Sequence, residues 1–138
     1  MVNEYFWGLA QKAAEIANSL GNGNNNTKPE LVYCQFAHET GNFTSDLCTQ
    51  YNNLGGLTQT EPNDTPQPDG NCYYMQFNSP EAYADYFGRY LRLYEEDGIY
   101  SAETIPEYAA ALYRGGYFGD TVENYAAGML AAYKEAFG

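Results

Sequence analysis

The segment 29–41 constrains the fold of this 138-residue chain most strongly. Pro29 and Glu30 are typical of a first helical turn, and Gly41 is typical of a helix end. The residues between them are apolar on nearly every side of the helix: Leu31, Val32, Cys34, Phe36 and Ala37. A helix without a polar face is buried, so the other elements should pack around this one.

Glu39 falls in the last turn of this predicted helix. Burial against apolar side chains and the negative end of the helix dipole both favour the protonated carboxyl, so we expect a raised pKa for Glu39. A carboxylic acid that keeps its proton near neutral pH suits the general acid of glycosidic bond cleavage. The alternative, favoured by the helix pattern alone, is a solvated residue at a fraying helix end.

Residues on both sides of Glu39 carry a more specific signal. They are Gln35, the triplet Glu39-Thr40-Gly41, Ser45, and the run Asn-Asn-Leu-Gly-Gly-Leu at 52–57. Together they resemble the signature of the bacterial and phage glucosaminidases, which are lysozyme-like cell-wall hydrolases. The resemblance implies that Glu39 is the catalytic acid. Asn42-Phe43 stands where that family usually has an aromatic residue followed by glycine, so we expect this turn to be built differently.

The resemblance also implies a second carboxylate in a small β-lobe, thirty or more residues beyond the acid. The candidates are Asp69, Glu61 and Asp64, and Asp69 ranks first because it directly precedes a predicted strand. Each candidate also has an ordinary explanation, since Asp beside Gly or Pro is common in turns. If none of them faces the substrate, the acetamido group of the substrate could act as the internal nucleophile.

Further site residues follow from the same resemblance. The run Gly116-Tyr117, Asp120, Tyr125-Ala126 is similar to the closing motif of the family, which implies that Tyr117 lies in the active site. We interpret Tyr125 mainly as a core residue. Glycine lets the backbone come close to a ligand, which favours the turn at 55–56 as part of the groove. The residues predicted to bind substrate are Gln35, Asn53, Gly55, Gly56 and Tyr74.

Hydrophobic periodicity predicts further helices over 3–20, 79–98, 104–113 and 120–137, the last with Asp120 as its N-cap. One face of the second of these carries Tyr83, Tyr86, Phe87, Tyr90 and Tyr94. Residues 72–77 are predicted to form a strand, with 57–59 as its short partner. The predicted fold is therefore mainly α (α+β): one lysozyme-like helical domain, residues 1–138, with a small β-hairpin lobe over a substrate groove.

Charge and composition narrow the classes of partner. A net charge of -12 with only six Lys and Arg argues against binding to nucleic acid or to anionic lipid. No apolar run is long enough to span a membrane, and no signal peptide is recognisable at the start. The 15 tyrosines suit stacking on sugar rings in a wet groove, although many of them should be half-buried core residues.

The cysteines and the single histidine do not predict a metal site or a cofactor. Cys34 falls in the buried helix and is expected to be a free apolar residue. Cys48 and Cys72 flank the polar loop, and a disulfide bond between them is a hypothesis. His38 is predicted to be a satisfied or solvent-facing residue beside the site.

The predicted function is hydrolysis of the glycan strand of peptidoglycan, by an endo-β-N-acetylglucosaminidase without a cofactor that acts at the bacterial cell wall. The chain could be secreted, delivered by a phage, or part of a larger wall hydrolase or phage protein. Two alternatives stay open. A muramidase or a lytic transglycosylase uses a similar helix-end Glu, and a glycan-binding or phage structural module would keep the fold without turnover.

Overall fold

The computed structural model describes residues 1–21, 23, 26–59 and 73–138. These residues form a mainly helical structure, as predicted. The helices are α1 (Glu4–Leu20), α2 (Pro29–Glu39), α3 (Asp46–Tyr51), α4 (Pro80–Leu91), a 3₁₀ helix that continues α4 (Arg92–Asp97), α5 (Ile105–Arg114) and α6 (Val122–Phe137). None of the described helices has the length and hydropathy of a membrane span.

Helix α2 is the centre of the packing. Every residue from 31 to 37 is buried, including the two polar-tipped residues Tyr33 and Gln35. Helices α1 and α6 both pack against α2, α4 packs against α1, and α5 packs against α6. The prediction of a buried helix that ends at the candidate acid is therefore confirmed.

The contact between α1 and α4 depends on Gly88. A Cβ atom at this position would lie 2.7 Å from the carbonyl oxygen of Ala13 and 2.8 Å from Cβ of Ile16. Because glycine has no Cβ, the two helix backbones approach more closely than larger residues allow. This close approach places the tyrosine-bearing face of α4 beside the site described below.

Two helix ends differ from the prediction. The N-cap of α6 is Thr121 and not Asp120: Oγ1 of Thr121 accepts from the amide of Asn124 at 3.1 Å. Asp120 instead accepts from the amide of Thr121 at 2.7 Å, one position outside the helix. Helix α4 ends at Leu91, and the 3₁₀ segment carries the chain on to Gly98, whose φ of 95° places it in the left-handed region.

The predicted β-hairpin lobe is not formed by the described residues. A single antiparallel bridge joins Thr58 to Tyr74. Toward residue 77 the pairing does not continue, because the amide of Phe77 donates to the carbonyl of Tyr51 at the end of α3. The polar loop and Cys72, within residues 60–72, lie outside the described residues. In the part that is described, the segment 72–77 is therefore not a strand.

The Asn42-Phe43 pair lies in a left-handed turn. Gly41, Asn42 and Phe43 have φ values of 58°, 62° and 70°. The hydroxyl of Thr40 accepts from the amide of Phe43 at 2.7 Å, and the Phe43 ring stacks on Phe6 at a centroid distance of 4.1 Å. Core packing thus holds a phenylalanine in a conformation that L-residues rarely adopt, and the turn is built differently from the aromatic-glycine pattern, as expected.

Cys34 and Cys48 are both buried free thiols. Burial raises the pKa of Cys34 to about 12 and also raises the pKa of Cys48. Within the described residues Cys48 has a free thiol; its hypothesised partner Cys72 lies outside them, so the bridge between the two stays a prediction.

Candidate active site

Glu39 occupies the last position of α2, where the helix emerges from the core. Burial raises the pKa of the Glu39 carboxyl, and a hydrogen bond from Tyr125 partly offsets this by stabilising the charged form. The Tyr125 hydroxyl donates to Oε1 of Glu39 at 2.7 Å. Glu39 is thus a half-buried carboxyl with a raised pKa, as the sequence predicted.

The two oxygens of Glu39 face different surroundings. Oε1 is held by Tyr125 of α6. Oε2 faces Gly56, where a Cβ atom would lie 3.9 Å away and where φ is 65°. Because glycine has no Cβ, position 56 presents only backbone toward Oε2. Oε2 is thus the oxygen that Tyr125 does not hold.

One side of Glu39 is formed by α6 and the loop before it, which we call the helical wall (Phe118, Tyr125 and Gly128, with His38 of α2). Phe118 stacks on Tyr125 with the ring centroids 4.0 Å apart and the planes 3° apart. His38 meets Tyr125 edge-on at 4.6 Å. A Cβ atom at Gly128 would collide with the His38 ring. Aromatic packing therefore fixes the direction of the Tyr125 hydroxyl.

The other side of Glu39 is formed by residues 53–57, which we call the turn wall. Nδ2 of Asn53 donates to the carbonyls of Leu57 and Met75, at 2.9 and 3.0 Å. Oδ1 of Asn53 accepts from the amides of Gly55 and Leu57, at 3.3 and 3.1 Å. Asn53 is buried, and its side-chain amide uses these hydrogen bonds to hold the turn. The sequence had predicted that the same side chain binds substrate.

Tyr117 also supports the turn wall. Its hydroxyl donates to the carbonyl of Gly55 at 2.8 Å. A Cβ atom at Gly55 would collide with the hydroxyls of both Tyr117 and Tyr83. The Tyr117 hydroxyl therefore contacts the turn, whereas the Tyr125 hydroxyl contacts the acid.

The remaining predicted site residues are placed differently. Gln35 is fully buried behind Glu39, and its Oε1 accepts from the Tyr108 hydroxyl at 2.5 Å. Tyr74 is half-buried at the bridge to Thr58. The candidates for the second carboxylate, Asp69, Glu61 and Asp64, lie outside the described residues.

Tyr125 is the site residue that the sequence interpretation missed. It is buried, as expected of a core residue, but its hydroxyl points at the acid. A buried tyrosine usually finds a hydrogen-bond partner for its hydroxyl. A tyrosine at a core position of a helix was therefore the sequence signal that could have indicated a polar contact for Tyr125. Burial raises the pKa of Tyr125 well above its usual value, which keeps the hydroxyl a donor.

Among the described residues, no charged group is a cause of the raised pKa of Glu39. No second carboxylate in the described ranges contributes to the raised pKa of Glu39. Burial lowers the pKa of His38, which favours the neutral ring against Tyr125, although Asp120 acts in the opposite direction. No group of three or more His, Cys, Asp or Glu residues that could hold a metal ion is found in the described part of the chain.

The chain is similar in sequence to one protein family. The glucosaminidase family model, described as mannosyl-glycoprotein endo-beta-N-acetylglucosaminidase, matches residues 14–136. No curated protein sequence matches the chain.

Two solved structures are similar in fold. A peptidoglycan hydrolase from Sphingomonas sp. A1 has a TM-score of 0.73 and 18% identity, over 97% of this chain and 92% of that one. The catalytic domain of the autolysin Auto from Listeria monocytogenes has a TM-score of 0.65 and 18% identity, over 96% of this chain and 83% of that one. At this identity they show a shared fold, which agrees with the predicted lysozyme-like helical domain.

Proposed function

Because the chain belongs to the glucosaminidase family of glycoside hydrolases, we propose that it cleaves the glycan strand of peptidoglycan as an endo-β-N-acetylglucosaminidase, with Glu39 as the general acid. The observation that carries the proposal is the half-buried Glu39 carboxyl with a raised pKa, with Oε1 held by Tyr125 and Oε2 facing the backbone at Gly56. The titles of the two structures with a similar fold, a peptidoglycan hydrolase and an autolysin, support the choice of substrate.

In this proposal Oε2 of Glu39 gives its proton to the glycosidic oxygen as the bond to the sugar breaks. The carboxylate that remains is then stabilised by the hydrogen bond from Tyr125 to Oε1. Burial keeps Glu39 protonated before the reaction, and Tyr125 limits the cost of losing the proton. Tyr125 therefore acts as a positioning residue for the acid.

The turn wall is proposed to line the groove for the substrate. Gly55 and Gly56 present backbone next to Oε2, while Tyr117 and Asn53 fix the turn from behind. Gln35 links α2 to Tyr108 of α5 in the core, and Tyr74 borders the turn at the bridge. We treat residues 1–138 as one catalytic domain that works at the bacterial cell wall, alone or within a larger wall hydrolase or phage protein.

The second catalytic group stays a proposal with three candidates, of which Asp69 ranks before Glu61 and Asp64. The acetamido group of the substrate is the alternative. A lytic transglycosylase is the second candidate function, because it needs only one acid and no second described carboxylate perturbs Glu39.

Digestion of purified peptidoglycan by the parent chain and by Glu39→Gln tests the proposal. The products are reduced and the sugar at each new end is identified by mass spectrometry. We expect reduced N-acetylglucosamine ends from the parent and a loss of about 100- to 10,000-fold in Glu39→Gln, the range for removal of a general acid. Glu123→Gln, which removes an exposed carboxylate from the first turn of α6, is the matched control and should retain activity.

Other outcomes point to the alternatives. Reduced N-acetylmuramic acid ends would indicate a muramidase, and anhydro-muramic ends a lytic transglycosylase. Wall binding without products from the parent chain would indicate a glycan-binding module.

A further inference from the structure

Gln35 lies on α2 one helical turn before Glu39, and its side chain is fully buried. Oε1 of Gln35 accepts from the Tyr108 hydroxyl of α5 at 2.5 Å. The amide group of Gln35 is planar, so this bond also fixes the direction of its nitrogen, Nε2. Nε2 carries two N–H donors and no acceptor. The mechanism above gives these donors no role.

The Tyr117 hydroxyl is the group that Nε2 of Gln35 faces. Burial raises the pKa of Tyr117 well above its usual value, and the Gln35 side chain acts in the opposite direction, as a hydrogen-bond donor does. Nε2 is nevertheless not aligned for a hydrogen bond to any described residue. The two groups are therefore neighbours in the core without a completed bond. An unpaired buried donor is costly, so a small movement that completes this bond is favoured.

The Tyr117 hydroxyl has a single proton, which it gives to the carbonyl of Gly55 at 2.8 Å. A second hydroxyl, that of Tyr83, lies against the same glycine, because a Cβ atom at Gly55 would come within 2.4 Å of it. The Tyr83 hydroxyl is buried and bonds to no described residue. Of these two hydroxyls, only the one that faces Gln35 holds the turn. Nε2 can only donate, so a hydroxyl that accepts from it keeps its own proton for Gly55.

These groups lie directly behind the acid. Besides burial, the charge of Glu39 raises the pKa of both Tyr83 and Tyr117, so the two hydroxyls are close to its carboxylate. Gly56, the residue after the bonded carbonyl, faces Oε2 of Glu39. Gln35 and Glu39 belong to the same helix. A chain of hydrogen bonds from Gln35 to the turn would therefore set the distance between the turn and the acid.

We propose that Gln35 is a positioning residue that holds the turn wall at a fixed distance from Glu39 by acting through Tyr117. The chain runs from the Tyr108 hydroxyl to Oε1 of Gln35, from Nε2 to the Tyr117 oxygen, and from the Tyr117 hydroxyl to the Gly55 carbonyl. The inference rests on the proposed function for the reaction at Glu39. It goes further because Gln35 takes a role in which it does not touch the substrate.

Kinetics of the Gln35→Met variant on soluble glycan strands of peptidoglycan test this role. Methionine keeps the length of the side chain and removes the donor. We expect KM to rise roughly three- to tenfold, the effect of one lost hydrogen bond, with kcat within about twofold of the parent. The pH profile of kcat/KM should not move, because Gln35 is not a cause of the raised pKa of Glu39. Gln35→Glu, which keeps the acceptor for Tyr108 and loses the donor, repeats the KM measurement if the Met variant does not fold.

Tyr33→Phe is the matched control, because it removes one hydrogen bond from the opposite side of the same helix. The Tyr33 hydroxyl accepts from the amide of Asn3 at 2.9 Å. This variant should lose stability to urea, as Gln35→Met does, but keep the KM of the parent. An equal rise of KM in both variants would show that Gln35 acts through stability alone, and the proposal would fail.

A double-mutant cycle of Gln35→Met with Tyr117→Phe tests the route of the effect. If Gln35 acts through Tyr117, the double variant should have the KM of Tyr117→Phe alone, within about twofold. If the two increases in KM multiply instead, Gln35 acts by another route and the proposal is overturned.

Hydrogen exchange at the turn amides measures the positioning without turnover. The amides of Gly55 and Leu57 donate to Oδ1 of Asn53 in the turn. We expect both amides to exchange roughly three- to tenfold faster in Gln35→Met than in Tyr33→Phe, because the turn opens locally more often. Unchanged exchange, or faster exchange with an unchanged KM, would overturn the positioning role.

The positioning role and the proposed function can fail separately. If the parent releases no products but exchange at the turn rises in Gln35→Met, the chain from Gln35 to the turn stands and the catalytic proposal fails. If the parent cleaves peptidoglycan and Gln35→Met changes neither KM nor exchange, the catalytic proposal stands and Gln35 has no positioning role.

Discussion

The helical wall and the turn wall hold the same carboxyl by opposite means. The helical wall uses side chains: a tyrosine hydroxyl on Oε1, fixed by Phe118 and His38. The turn wall faces Oε2 with the backbone of Gly56, and its Asn53 side chain bonds to the turn itself. In the proposed function one wall sets the protonation of Glu39, and the other lines the approach to Oε2.

Because the two walls contact different oxygens of Glu39, substitutions in them should have different kinetic effects. A change in the helical wall should alter the pKa of Glu39 and hence the pH dependence of activity. A change in the turn wall should alter how substrate reaches Oε2 and hence KM. Both walls also contribute to stability, because each is packed tightly enough that an added Cβ would collide with a neighbour.

The largest expected effect is from Asn53→Ala in the turn wall. It removes four hydrogen bonds from a buried turn, so we expect a loss of roughly 3 kcal/mol in the free energy of unfolding, together with loss of activity. Urea denaturation measures the first and peptidoglycan digestion the second. Asn53→Asp keeps the acceptor and loses both donors, so it should be destabilising too. Parent-like stability in both variants would contradict the role of Asn53.

Gly55→Ala and Gly128→Ala form a matched pair, one in each wall. Each adds a Cβ where no space exists, which typically costs about 1–3 kcal/mol. For Gly128 the gain in helix propensity, about 1 kcal/mol, offsets part of this cost. We expect Gly55→Ala to raise KM and Gly128→Ala to move the pH profile of kcat/KM. If both variants change the same kinetic parameter, the two walls do not have separate roles.

Tyr125→Phe removes the hydrogen bond to Oε1 while keeping the ring in its stack. This bond lowers the pKa of Glu39, so its loss should raise that pKa further. Because the general acid must be protonated, the basic limb of the pH–rate profile should move to higher pH. We expect only a modest fall in maximal activity, and Tyr113→Phe, an exposed tyrosine on α5, should leave the profile unmoved. A shift to lower pH would contradict the assigned contact.

The smallest effect is the contribution of Glu39 to stability. A buried carboxyl with a raised pKa binds more protons in the folded chain than in the unfolded one, so stability falls as pH rises from the unfolded value near 4.5 through the folded pKa. Glu39→Gln removes this pH-dependent loss of stability, so the Tm of the variant should exceed the Tm of the parent at pH 7. The difference between the two chains should shrink below the unfolded pKa. A variant less stable than the parent at pH 7 would count against burial as the cause of the raised pKa.

Much of the fold follows from local sequence patterns. The position of α2 and of Glu39 at its end depends on residues within about three turns of each other, which periodicity captures. The N-cap of α6 moved by one residue because Asp120 and Thr121 are both good caps and only the backbone geometry decides between them. The hairpin was overestimated because an alternating pattern does not show where a strand loses its partner.

The sequence predicted the contacts of the site less completely than it predicted the fold. Tyr125 is 86 residues from Glu39, and a hydroxyl contact over that separation leaves no mark in local periodicity. Asn53 was correctly placed at the turn, but its side chain faces the backbone, and spacing alone cannot tell which way a side chain points.

The buried thiol of Cys34 can report when α2 unfolds. With a pKa of about 12 and no exposed surface, its thiol carries almost no thiolate at neutral pH and should resist alkylation in the folded chain. Reagent reaches Cys34 only when the helix that bears the candidate acid leaves the core. Peptide-resolved alkylation at increasing times therefore reports the opening of α2: the population of the open form when reclosing is faster than alkylation, and the opening rate when it is slower.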